Sequence, residues 1–300
     1  MRYANAADFR RALETRLLAR SQQTSLSLVR LRKSVVFDRL LARLMVAARG
    51  RWLLKGAVAL DFRLGGRTRT TKDLDLARQD DEASATADFL AAQAVDLGDH
   101  FVFAVSRTDR LDELREGVAV RYHVACELGG RPFDDVTVDV GFADRPIGEP
   151  ELISGPRLLD FADIEPAKVP AIPLAQHVAE KVHAYTRAYG NQGQPSTRVK
   201  DLVDIVLIAT EVALDAVQLR QALEHTFETR GRQPLPAQLP PPPAEWRTPY
   251  RRMAGEVGIP EDLEAGYGIA SAFVDPILTR EVTDGSWDPE RGVWRVSASY

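Results

Sequence analysis

The sequence predicts an α+β protein, with a small mixed sheet and its helices in residues 1–145 and a mostly α-helical region in residues 146–300. Three observations carry this. Apolar residues alternate with polar ones in Val118–Cys126 and again in Phe133–Phe142, the period of half-buried strands. A third strand, Asp73-Leu74-Asp75-Leu76, follows a glycine turn and a short helix that begin at Leu53. After Phe142 the strand pattern stops and apolar residues recur at helical spacing, interrupted by prolines.

In chain order, residues 6–20 and 27–48 read as helices; in the second, Leu28, Leu31, Val35, Leu40, Leu44 and Ala47 recur on one side. Arg10, Arg11, Arg16, Arg20, Arg30, Arg32, Lys33, Arg39, Arg43, Arg49 and Arg51 stand here against only Glu14 and Asp38. Such a patch suits a phosphate backbone, but no aromatic residues interleave for base stacking. A solvated helix face, or arginines paired with acids elsewhere, is the favoured reading. Asp80-Asp81-Glu82 opens an alanine-rich helix to about Leu97, its acids placed for the positive helix end. Phe101–Val105 completes a sheet of four or five strands.

Residues 144–172 read as an irregular crossover. Helices are expected from Pro173 to Tyr189, at 196–211, at 214–229 and over 244–280, with a polar loop at Gly190–Pro195. The prolines of 234–243 predict a stiff extended connector, and the last twenty residues an edge strand or tail.

Composition narrows the function. The apolar fraction of 45% can build a core, and a net charge of −4 gives no general pull toward nucleic acid or membrane. One cysteine, Cys126, rules out a disulfide framework or thiolate metal cluster and fits a strand interior. His100, His123, His177, His183 and His225 show no metal spacing. The N-terminus lacks a signal-type apolar stretch and no run is long enough to span a bilayer, so a cytoplasmic protein is expected.

The chemistry concentrates at the acids. On a strand Asp73 and Asp75 project to one side while Leu74 and Leu76 face the core. Neighbouring carboxylates repel each other unless a cation sits between them. Asp139, in Val138-Asp139-Val140, is a third acid in an apolar strand, where an unpaired charge would be costly. Three such carboxylates on adjacent strands would form a site for two divalent cations, Mg²⁺ or Mn²⁺, about 3.5–4 Å apart. Gly56 precedes a short helix whose N–H groups could face a triphosphate. Lys55 is either a partner of these groups or a strand-end surface lysine.

In the second half, Lys181 lies among Ala179, Val182 and Ala184; it either meets an anion or snorkels to solvent. Asp201 and Asp204 share a face of an apolar helix and need partners, with Arg198 and Lys200 the nearest. For Asp204, an ion pair that fixes its helix stands at least equal to a substrate role. Arg67, Arg69 and Lys72 read as a solvated loop or as steering charges.

The order of a glycine turn and helix, Asp-x-Asp and a later Asp resembles the polymerase-beta type of nucleotidyltransferase fold. Lys55-Gly56-Ala57-Val58-Ala59-Leu60, then Arg67 through Asp75, then Glu180-Lys181-Val182-His183-Ala184 and Arg198-Val199-Lys200-Asp201-Leu202-Val203-Asp204, is similar to the AbiEii/AbiGii toxin family of type IV toxin–antitoxin systems. The resemblance implies catalysis by Asp73, Asp75, Asp139 and Lys181, with metal on the three acids. It also implies nucleotide contacts from Lys55, Gly56, Ala57, Lys181, Lys200, Asp201 and Asp204. The implied reaction transfers an NMP from an NTP to RNA, the tRNA 3′ end being the expected acceptor, and releases pyrophosphate; the implied partner is an antitoxin encoded nearby. Ala57 departs from the family's more frequent Gly-Gly or Gly-Ser and loses any side-chain phosphate contact there. Transfer to a protein or small-molecule hydroxyl, or a non-catalytic nucleotide- or partner-binding role, stays open.

Overall fold

A computed structural model of the chain describes residues 1–24, 26–107, 120–142, 146–187, 198–231 and 233–296. It divides into two compact units: Met1–Gly66, Thr70–Arg145 and Pro150–Ala171 form the first, and Arg67–Arg69, Pro146–Glu149 and Ile172–Tyr300 the second.

In the first unit, Asn5 caps α1 (Ala6–Gln23) by accepting from the Ala7 N–H at 2.8 Å, and Ser27 caps α2 (Leu28–Ala47) through Arg30 N–H. There follow β1 (Leu53–Lys55), α3 (Gly56–Arg63), β2 (Asp73–Arg78), α4 (Glu82–Gln93), β3 (Phe101–Arg107), β4 (Val120–Leu128), β5 (Arg131–Phe142), β6 (Glu151–Ser154) and β7 (Lys168–Ala171). Asp81, inside the predicted acidic start, caps α4 by accepting from Ser84 N–H at 2.8 Å.

The strands form one mixed sheet in the order β3-β4-β5-β2-β1-β7-β6, with β2–β5 and β1–β7 parallel and the other pairs antiparallel. Among the described residues, seven strands replace the predicted four or five. The extra two come from residues 144–172, read from sequence as irregular. Each is only four residues long, and Pro170 sits inside β7. Their place depends on distant groups: Asp38 of α2 accepts from the Ala167 N–H at 2.7 Å, and Arg39 donates to the Glu165 carbonyl at 2.8 Å. Burial pushes the Asp38 carboxyl up, against the pull of Arg39.

One face of the sheet is apolar. Leu54, Leu74, Leu76, Tyr122, Val124, Val136, Val138 and Val140 are buried there, in one core with Leu31, Val35, Leu40 and Leu44 of α2. Cys126 is buried in β4 as predicted, and desolvation raises its thiol pKa. Residues 118 and 119, read as the start of that strand, lie outside the described residues.

The second unit is helical: α5 (Leu174–Thr186), α6 (Val199–Glu211), α7 (Ala216–Arg230), α8 (Arg247–Val257) and α9 (Leu263–Leu278). Every residue from Asp201 to Ala209 is buried, because α5, α8 and α9 all pack against α6. The predicted helix over 244–280 is two helices, separated at Gly258–Asp262. The predicted tail is a hairpin of β8 (Ser286–Asp288) and β9 (Val293–Arg295), held by Trp287 Nε1 donating to the Ala209 carbonyl at 2.7 Å. The proline-rich stretch is no free connector. Leu239 is buried, and Tyr185 and Tyr267 donate to the Pro240 and Leu239 carbonyls at 2.6 and 2.7 Å. The polar loop read at Gly190–Pro195 lies outside the described residues.

Candidate active site

The polar face of the first unit's sheet gathers the three predicted acids. In β2, Asp73 and Asp75 alternate with buried Leu74 and Leu76. Asp75 stands opposite Asp139 of β5, and Asp73 opposite Thr137. Neighbouring strands are spaced by about 5 Å and alternate residues on one strand by about 7 Å, so the carboxylates occupy one small patch.

The same row continues on both sides. Lys55 of β1 pairs in register with Asp75, and Arg121 of β4 with Asp139. The sheet thus carries Arg121, Asp139, Asp75 and Lys55 in one line, two acids between two bases. Arg121 grips Asp139 with a two-pronged fork, Nε to Oδ1 at 2.6 Å and Nη2 to Oδ2 at 2.7 Å. That fork holds the guanidinium pKa above its usual value against a smaller opposing effect of burial, and the charges of Asp73 and Asp75 add to it. All three acids therefore act on one arginine. Asp139 is almost fully buried, while Asp73 and Asp75 are partly open.

Gly56 begins α3 directly beside Asp75. Its φ of +65° lies in the left-handed region, and a Cβ there would overlap the Asp75 carboxylate. Only glycine fits. Ala57 is buried, so its backbone N–H and not its side chain is what this turn can offer. The positive end of α3 and the Asp75 carboxylate are thereby held together.

Among the described residues, no three His, Cys, Asp or Glu side chains come together as a ready-made metal cage. A magnesium-type ion does not require one. It commonly takes one or two carboxylates and completes its octahedron with phosphate and water. Asp73 and Asp75 fit that need: they share a face and are partly open, and Asp75 lies beside the helix N-terminus. Asp139 is adjacent but has both oxygens engaged by Arg121.

The second unit holds its own charged cluster. Lys181 of α5 does not snorkel; its Nζ donates to Asp201 Oδ1 at 3.1 Å and Asp204 Oδ2 at 2.7 Å. Arg69 forks onto both Asp204 oxygens at 3.0 Å, and Arg198 Nε lies 2.7 Å from Asp201 Oδ2. Burial alone would raise the Asp204 carboxyl, but Lys181 and Arg69 overrule it and hold it below the usual range. Burial likewise opposes the charged form of Lys181, and the two aspartates win, raising it. Lys200 lies on the surface of the same helix as these aspartates. Arg67 stays exposed while pairing with Glu211 at 2.6 Å, so it is Arg69 that departs from the solvated loop of the sequence reading.

Sequence reasoning missed two residues of these clusters. The sequence shows Arg121 only as part of a strand, and Arg69 as a solvated or steering charge. The signal for Arg121 lay in the β4–β5 hairpin. With Gly129-Gly130 as its turn, Tyr122 and Val124 can share a face with Val138 and Val136 only if one residue bulges. Glu127 pairs with Pro132 and Cys126 with Asp134, which leaves Phe133 as the extra residue and brings Arg121 opposite Asp139.

The basic patch of α1 and α2 is largely consumed within the first unit. Arg30 pairs with Asp61, Arg32 with Glu14, Lys33 with Asp134, Arg43 with Asp99 and Arg51 with Asp88, at 2.6–3.0 Å. Arg16 lies over the Phe161 ring. No helix among the described residues is long and apolar enough to cross a membrane.

The structure is similar to MenT4, the nucleotidyltransferase toxin Rv2826c of Mycobacterium tuberculosis H37Rv, with a TM-score of 0.58 and 20% identity over 90% of this chain and 89% of that one. It is more distantly similar to JHP933 of Helicobacter pylori, with a TM-score of 0.45 and 14% identity over 81% and 90% of the two chains. No curated protein sequence matches the chain significantly. The family described as nucleotidyl transferase AbiEii toxin, type IV TA system, matches residues 39–272, a span that contains both charged clusters. The chain belongs to this family of nucleotidyltransferase toxins.

Proposed function

We propose that the chain transfers an NMP from an NTP to an RNA hydroxyl, with a tRNA 3′ end as the expected acceptor. The observation that carries this reading is Asp75 standing against the Gly56 turn at the start of α3, with Asp73 two residues away on the same face of β2. A divalent ion, Mg²⁺ or Mn²⁺, when bound, would supply Lewis-acid polarisation of the phosphates and charge neutralisation. Asp73 and Asp75 would hold it, and the backbone N–H groups of Gly56 and Ala57 would orient the triphosphate. Lys55, opposite Asp75, would add positive charge where the phosphates gather. The acceptor oxygen bonds to the α-phosphorus, the bond from that phosphorus to the bridging oxygen breaks, pyrophosphate leaves and the hydroxyl proton passes to solvent water. Asp139, opposite Asp75 in the same patch, is the acid proposed to lie near the acceptor hydroxyl.

In the second unit, Lys200 is the exposed cation proposed to contact phosphate, and Lys181 with Asp201 and Asp204 the buried cluster on which its helix depends. The toxin class supports a cytoplasmic location and an antitoxin encoded beside the chain as part of this reading.

Incubation of the protein with labelled NTPs, Mg²⁺ and total RNA tests the reading. Label in RNA, lost in Asp75→Ala, is the expected result. Unlabelled RNA with wild type and Asp75→Ala indistinguishable would overturn it. One observation favours a second reading, transfer to a protein or small-molecule hydroxyl: the arginines of α1 and α2 are mostly paired within the protein. Label in protein or metabolite fractions and none in RNA would select it. Wild type that binds no NTP in the presence of magnesium would point instead to a non-catalytic partner-binding role.

A further inference from the structure

The three acids of the sheet face are not equivalent. Asp73 and Asp75 are partly open, whereas Asp139 is almost fully buried and gives both oxygens to the Arg121 fork at 2.6 and 2.7 Å. A divalent ion that chelated Asp139 through both oxygens would need the edge of the carboxylate that the guanidinium covers. Beyond geometry, Arg121 carries a permanent positive charge that would repel an ion placed against Asp139. The arginine belongs to the same field as the whole triad, since Asp139, Asp73 and Asp75 each raise its pKa.

We propose that Arg121 is a built-in counter-cation that latches Asp139 out of the metal shell, so that the sheet face takes one divalent ion, on Asp73 and Asp75, in place of the two that three free carboxylates would bind. This rests on the reading of Asp73 and Asp75 as cation ligands given above. Arg121 is a positioning residue. It acts through Asp139 and through its charge, and it balances part of the repulsion among the acids when no metal is bound. The latch is built by fold as well as by residue type, because the bulge at Phe133 sets the register that brings Arg121 opposite Asp139.

Manganese titration followed by the electron paramagnetic resonance signal of free Mn²⁺ reads number and affinity directly, without any assay of turnover. Wild type should bind one ion per chain, and Asp75→Asn should lose it. Arg121→Gln should bind a second ion, or the first at least about tenfold tighter. If Arg121→Gln fails to fold, as circular dichroism would reveal, the double variant Arg121→Gln with Asp139→Asn removes both charges of the pair. It should bind one ion within about threefold of the wild-type affinity, because Asp139 is not a ligand. Two ions on wild type, or a more than tenfold loss of affinity in the double variant, overturns the latch. Arg121→Gln that binds as wild type does, alongside a null Asp75→Asn, overturns the latch and leaves the cation site standing. No binding by any folded chain overturns the cation reading, and the latch with it.

Discussion

Gly56 shows how one missing atom can position a site. Its φ of +65° costs an ordinary residue about 1–2 kcal/mol, and any Cβ would overlap the Asp75 carboxylate. Gly56→Ala should therefore destabilise the first unit by about 2–4 kcal/mol in urea titrations and lower nucleotidyl transfer at least about a hundredfold. Stability and activity both within twofold of wild type would contradict that geometry. In the second unit, Asp204→Asn leaves Lys181 and Arg69 facing a neutral group, a loss of about 3–5 kcal/mol for a buried pair. The pH dependence has a definite sign. The folded Asp204 carboxyl lies below its unfolded value near 3.8, so its contribution is complete above that value and is lost as pH falls through the lowered one. Acid titration of unfolding, read through buried Trp287, should be steeper below pH 4 in wild type than in Asp204→Asn. At this scale much of the site was legible. Strand alternation fixed the common face of Asp73 and Asp75, and the cost of a bare carboxylate among valines flagged Asp139. The same cost argument did not reveal which partner answers each acid. Arg121 and Arg69 come from other elements, and arginine in sequence carries no mark of what it will reach.

Elements were legible where they were long and patterned. The alternation of β4 and the acidic start of α4 needed nothing outside themselves. Strands β6 and β7 were not legible because four residues cannot show a period, and what recruits them is the buried Asp38 and Arg39 of α2. The proline-rich stretch misled for a related reason. Proline fixes the local backbone as extended but does not say whether the chain is solvated. Here the carbonyls of Leu239 and Pro240 receive tyrosine hydroxyls, and Asp275 accepts from the Leu239 N–H at 2.7 Å. Tyr185→Phe and Tyr267→Phe should each cost about 1 kcal/mol. Together they should speed proteolytic cutting within 233–243 without changing far-ultraviolet circular dichroism. Unchanged cutting of the double variant would show that burial of Leu239 alone secures the stretch.

For the molecule as a whole, charge decides how an RNA acceptor could be held. The net charge is −4, and the basic patch visible in the sequence of α1 and α2 is spent largely on Asp61, Glu14, Asp134, Asp99 and Asp88. Paired cations attract a polyanion weakly, and breaking them to contact phosphate would cost the ion pairs of half-buried and buried acids. Recognition of the proposed acceptor should then depend on few phosphate contacts. Each contact on a single strand adds about −0.7 to the slope of log affinity against log salt, so about three contacts give a slope near −2. Binding of the acceptor RNA measured from 50 to 200 mM salt should fall along that shallow line. Replacing the exposed Arg11, Arg20 and Arg49 together by Ala should flatten it by less than about one unit. A slope of about −5 or steeper, collapsing in the triple variant, would mean that the helical patch is the RNA surface after all.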